Sequence, residues 1–153
     1  MADFVLVHGA WGGGWTFGRT EHDLLAAGHR VLVAQLKGLG TRREELHGGI
    51  ALADHIDDVC AQVAAAGFDR FVLVGHSYGG MVITGVAARL GARIDAMVYL
   101  DAFLPEQISQ HPAACERKLH VQLVDPPHDG EISSRRRQRQ VIDAAPADPL
   151  FPS

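Results

Sequence analysis

A chain of 153 residues, 47% apolar and 21% charged, is sized for one globular domain with a real core, and its composition is neither disordered nor coiled-coil. Its 14 basic and 18 acidic side chains leave a formal net charge of −4, so no whole-protein field draws it to nucleic acid or an anionic membrane surface. No apolar run approaches the ~20 residues of a membrane span. The N-terminus lacks the charged region of a secretory signal, and Cys60 and Cys115 are too few for a disulfide framework or a zinc site. The expectation is a cytoplasmic protein with free thiols, binding neither nucleic acid nor membrane.

In chain order, Phe4-Val5-Leu6-Val7 is a short apolar run of the kind buried on both faces of a sheet, and it ends in His8-Gly9. A Gly/Trp loop, AWGGGW, leads into a helix predicted from about Phe17 to Ala27 and closed by Gly28. RVLVA (30–34) reads as a second strand and is followed by the polar loop QLKGLGTRREELHGG. Leu52, Ile56, Val59 and Val63 then recur at helical spacing, and Gly67 stops that helix. FVLV (71–74) is a third strand, Tyr78 to Leu90 a helix ended by Gly91, and AMVYL (96–100) a fourth strand. Apolar strands alternating with helices predict an α/β fold, a mainly parallel sheet flanked by helices on both faces.

After Phe103 the character changes. All seven prolines lie from Pro105 onward, and DPPHDGEISSRRRQRQ carries little strand or core character. No further buried strand is expected in this third. The predicted organisation is a core over residues 1–104 and a partial cap or linker over 105–153. The four expected strands would leave a sheet edge uncovered, which predicts a homodimer or poor solubility.

Gly75-His76-Ser77-Tyr78-Gly79 matches G-x-S-x-G, with a strand directly before it and a helix directly after, the context that gives the motif its meaning. A serine on so tight a corner needs neighbours without bulk two residues either way, and the corner aims the first N–H groups of the helix at the reaction centre. Ser77 is therefore the candidate nucleophile. His8-Gly9-Ala10 follows the first strand, where a second backbone donor belongs. The expected oxyanion donors are the N–H groups of Ala10 and Tyr78. GAWGGG matches neither a dinucleotide-binding nor a Walker phosphate loop. His8 and His76 flank the site at strand ends and read as supporting histidines rather than as a base.

FVLVHGAWGGGW, LKGLGTR, VLVGHSYGGMVITGVA and VYLDAFLPE together resemble the α/β-hydrolase branch that contains plant methyl esterases, hydroxynitrile lyases and bacterial esterase relatives. The likeness runs in order from about Phe4 to Glu106. It implies the α/β-hydrolase fold and a Ser–His–Asp hydrolase of small carboxylic esters that uses no cofactor or metal. It carries over Ser77 as nucleophile with Ala10 and Tyr78 as donors.

The family places its acid and histidine after later strands, and no such strand pattern appears before Ser153. The expectation is thus a C-terminally incomplete hydrolase fold. Asp101, ending the fourth strand, is the acid candidate, set against a strand-end aspartate that caps its own turn. Among His111, His120 and His128, the last, in the turn-rich DPPHDG, is the base candidate, set against an exposed loop histidine. Trp11 and Trp15 either line an acyl pocket or pack beneath their loop as core; Phe103, with Tyr78, is placed at the pocket edge of the sheet. The run Arg135-Arg136-Arg137-Gln138-Arg139 reads as a solvated helix face. Two other functions stay open: a non-catalytic remnant or binding module, and a hydroxynitrile lyase. The lyase needs additional polar residues in its pocket, usually a lysine, and Lys37 and Lys118 are the only lysines.

Overall fold

The computed structural model describes residues 1–104 and the backbone of 121–124. The strands are β1 (Asp3–Val7), β2 (Arg30–Ala34), β3 (Phe71–His76), β4 (Ile94–Leu100) and β5 (Val121–Val124), and the α-helices are α1 (Gly18–Ala26), α2 (Leu52–Ala65) and α3 (Gly79–Leu90). Each expected strand and helix of the first two thirds is present, with ends shifted by a residue or two. Gly28 and Gly67, at φ of 83° and 64°, terminate α1 and α2 in the left-handed conformation that a Cβ penalises. The loop after β2, read only as polar, contains a 3₁₀ stretch from Gly40 to Glu45.

The strand order is β2-β1-β3-β4-β5. Strands β1 to β4 run parallel, with Val7 beside both Ala34 and Gly75. One expectation is corrected here. VQLV forms a fifth strand, antiparallel to β4, with Leu100 opposite Val121 and Met97 opposite Val124. The outer edge of β4 is therefore paired, and β2 and β5 are the outer strands of the sheet. The reason is that a four-residue strand needs only a neighbour's unpaired backbone, not a strong apolar pattern of its own.

Alternation along each strand divides the core. Val5, Val7, Phe71, Leu73, Met97 and Tyr99 point to one face, where Val59 and Val63 of α2 and Val82, Ile83 and Val86 of α3 cover them. Leu6 and Val74 point to the other, against Phe17 and the partly buried Leu24 of α1. The α2–α3 face is the better sealed, since α1 contributes no fully buried residue. At the centre of the sheet the connections diverge: β1 leads to β2 on one side, while β3 lies on the other. A crevice opens where such connections part, beyond the carboxyl ends of the strands. The loops that follow β1 and β3 both emerge there.

Candidate functional site

The corner between β3 and α3 is built by steric exclusion. Ser77 has φ of 53°, one of two non-glycine residues with positive φ among those described; the other is Asp101, at 43°. Left-handed backbone is strained for a residue with a Cβ, and such strain gathers where a side chain must be aimed. The neighbours permit it by being small. A Cβ on Gly75 would lie 2.7 Å from the Gly79 carbonyl oxygen, and one on Gly79 would lie 2.4 Å from the Val7 carbonyl oxygen. The Ser77 N–H donates to Leu100 O at 3.3 Å, and its carbonyl accepts from Gly80 N–H and Phe103 N–H, both at 3.0 Å. The corner is thereby tied to the end of β4 and the turn that holds Asp101. Among the described residues the Ser77 hydroxyl makes no hydrogen bond, and it is partly exposed.

The loop after β1 closes on this corner from the other side. A Cβ on Gly9 would meet the Ser77 Cβ at 3.1 Å, so only a bare backbone fits there. Ala10 follows directly. Neither its N–H nor that of Tyr78 donates a hydrogen bond to a described residue.

His8 is fully buried and occupied on both ring nitrogens. Its Nδ1 lies 2.8 Å from Gly9 O, which can only accept, so Nδ1 carries the proton. Nε2 then accepts from Leu36 N–H at 3.3 Å. Burial, the largest influence, pushes this imidazole below its ordinary 6.5. The sign of the consequence is definite. Unfolded His8 takes up a proton near pH 6.5 while folded His8 does not, so the unfolded state binds more protons in that window. Stability is full above it and is lost as pH falls from about 6.5 toward the folded value. We expect urea midpoints to decline between pH 7.5 and 5.5, and the His8 ring proton in NMR spectra to titrate below the ordinary imidazole value of 6.5. A His8 resonance titrating at or above the ordinary value would contradict this.

The loop after β2 is held by a stripe on α2. Gln62 donates to Gln35 O and accepts from Gln35 N–H, both at 3.0 Å. Asp58 accepts from Lys37 N–H at 3.1 Å and from the Arg42 guanidinium at 2.6 Å. Arg42 also grips Glu45 through two bonds, of 2.7 and 2.8 Å, which draws the Glu45 carboxyl below its usual range. His55 completes the stripe. Its Nε2 lies 2.9 Å from Lys37 O and its Nδ1 lies 2.8 Å from the Tyr78 hydroxyl, with the two rings edge-on at 5.7 Å. Burial raises the Tyr78 phenol. Sequence reasoning passed over His55, although it stands three residues after Leu52 and four before Val59, on the buried side of α2.

The remaining expected residues divide. Asp101 stands at the end of β4 beside the corner, exposed, and its side chain makes no hydrogen bond to a described residue. Trp11 is 100% exposed and Trp15 63%, which overturns the reading of either as core beneath the loop. Trp15 instead lies over Gly13, where it leaves no room for a Cβ. Phe103 is half exposed, next to the corner. No histidine among the described residues bonds the Ser77 hydroxyl. His111, His120, His128, Lys118 and the arginine run lie outside the described residues. Among those described, no cluster of three or more His, Cys, Asp or Glu is disposed to hold a metal ion, and no helix is long and apolar enough to cross a membrane.

Comparison with known proteins agrees with this architecture. A family model described as the alpha/beta hydrolase family matches residues 4–152. A carbendazim hydrolyzing esterase from Nocardioides sp. (strain SG-4G) is 53% identical over 148 residues, covering 94% of this chain and 61% of the relative. Salicylic acid-binding protein 2 of Nicotiana tabacum is 35% identical over 69% of this chain and 41% of its own length. Among solved structures, an extracellular alpha/beta-hydrolase from a Paenibacillus species superposes with a TM-score of 0.63 at 30% identity, over 69% of this chain and 42% of that one. The chain thus spans about two fifths to three fifths of the length of these relatives.

Proposed function

The chain belongs to the alpha/beta hydrolase family, and on that premise we propose that it is a serine hydrolase of small carboxylic esters, with Ser77 as nucleophile and the Ala10 and Tyr78 amides as oxyanion donors. One observation carries this reading. Ser77 is held at φ 53° on a strand-to-helix corner, with the bare backbone of Gly9 against its Cβ. Strain of that kind persists only where the surroundings enforce it.

The chemistry follows from the arrangement. A base removes the hydroxyl proton as the Ser77 oxygen attacks the ester carbonyl. The carbonyl oxygen becomes an oxyanion, and two fixed amides hold it without reorganising. Collapse expels the alcohol, which takes its proton from the protonated base, and leaves an acyl-serine, which water cleaves in a second passage through the same geometry. We assign the base to His128 and its orienting carboxylate to Asp101, with Trp11, Trp15 and Phe103 against the substrate. Asp101 is supported by its place one strand beyond Ser77, next to the corner. The esterase relatives support ester substrates.

The test is a fluorophosphonate probe, with the adduct located by mass spectrometry. The expected result is one adduct, on Ser77, together with nitrophenol release from a short acyl ester. Carbendazim belongs in the substrate panel because one relative is named for hydrolysing it. An unlabelled Ser77 in folded protein would overturn the nucleophile assignment. Labelling without turnover would indicate a binding module that retains a reactive serine.

A further inference from the structure

Beyond the residues assigned to the reaction, we propose that His55 is a positioning residue for the Tyr78 oxyanion donor. This rests on the reading of Ser77 and Tyr78 given above. His55 lies on α2, 23 residues from Tyr78, and is 7% exposed. Lys37 O can only accept, so His55 Nε2 carries the proton and donates to it at 2.9 Å. That assignment leaves Nδ1 bare, and the Tyr78 hydroxyl donates to it at 2.8 Å. The phenol therefore has a fixed acceptor, itself fixed by a backbone carbonyl of the loop after β2.

Tyr78 needs such a hold. It stands between Ser77 and the first turn of α3 at φ −54° and ψ −31°, and no side chain caps that helix. Its N–H is the donor that follows the nucleophile. A donor of this sort works by being preorganised, and small displacements are costly. Anchoring the phenol pins the residue from its far end, while the Ser77 carbonyl bonds to Gly80 and Phe103 pin the backbone just before it. His55 does not touch the reacting atoms in this scheme. It sets where the Tyr78 amide points.

Two substitutions separate this role from simple anchoring of the loop. An asparagine oxygen stands where Nδ1 stands, so His55→Asn keeps an acceptor for the Tyr78 hydroxyl and loses Lys37 O. A glutamine amide nitrogen stands where Nε2 stands, so His55→Gln keeps Lys37 O and loses Tyr78. Tyr78→Phe removes the same bond from the other side and leaves His55 intact.

The readout is phosphonylation of Ser77 by a fluorophosphonate, in which an O–P bond forms, P–F breaks, fluoride leaves and the serine proton passes to the base. Its phosphoryl oxygen takes the oxyanion's place. His55→Gln and Tyr78→Phe are expected to lower the maximal inactivation rate about tenfold with little change in the concentration for half-maximal rate. His55→Asn is expected to restore most of that rate. The reverse order, with Asn slow and Gln fast, would show that His55 serves the loop alone and overturn the proposal. So would a Tyr78→Phe variant that reacts like the parent. If the parent chain is itself unreactive, the Ser77 assignment falls and this proposal falls with it. Normal labelling at equal rates in every variant removes the positioning role only.

Discussion

Ser77→Ala is expected to reduce ester turnover to background, a loss of about 10⁶-fold where the full catalytic set is present. The size follows from the division of labour. A serine hydroxyl contributes the covalent path, and without it only the amides and substrate binding remain, worth about 10³–10⁴-fold over water. The substitution is clean because alanine keeps the Cβ. It meets the same left-handed backbone at φ 53° and the same neighbour at Gly9, so the corner should fold as before. Far-ultraviolet circular dichroism and urea midpoints of the variant should therefore match the parent while nitrophenol release disappears. Retention of more than a hundredth of parental turnover in pure Ser77→Ala protein would mean that another nucleophile does the work.

Gly79→Ala is expected to destabilise the fold by about 3 kcal/mol, the upper part of the range for forcing extra atoms into a packed interior. Its Cβ would lie 2.4 Å from Val7 O and 3.0 Å from His8 O. Both are backbone atoms where β1 ends, and β1 is paired on one side with β2 and on the other with β3. No flexible side chain can give way, so α3 must lift from the sheet and carry the Ser77 corner with it. Turnover should fall together with stability, unlike the Ser77→Ala result. Gly18→Ala is the matched control: it is helical, nothing lies within 4 Å of the added Cβ, and the change should stay within about 1 kcal/mol. Denaturant unfolding of the three proteins decides the matter. A Gly79→Ala midpoint equal to the parent's would show that the close approach to β1 is relaxed in solution.

The candidate site was partly legible before any coordinates, for a physical reason that particular residues make plain. The Ser77 corner is a local object: strand, tight turn and helix are consecutive, and the glycines that permit it lie within two residues. The loop after β1 was legible too, since His8-Gly9 ends an apolar run. His55 was not, because its role depends on a phenol 23 residues away and on the carbonyl of Lys37, 18 residues back. Its helical phase places it on the buried side of α2, a signal that names no partner. The two tryptophans were evenly poised between pocket and core, and only packing decided that both are exposed rather than core.

What the sequence determined by itself, then, was the run of elements from β1 to β4 and the corner at Ser77. These follow from periodicity and chain-local sterics, which act within a turn or a strand. The tertiary structure alone decided the order β2-β1-β3-β4-β5, the pairing of Val121–Val124 against β4, the locked tautomer of His8 and the bond from Tyr78 to His55. Each of these joins groups distant in the chain, and its energy appears only when burial removes water as the competing partner.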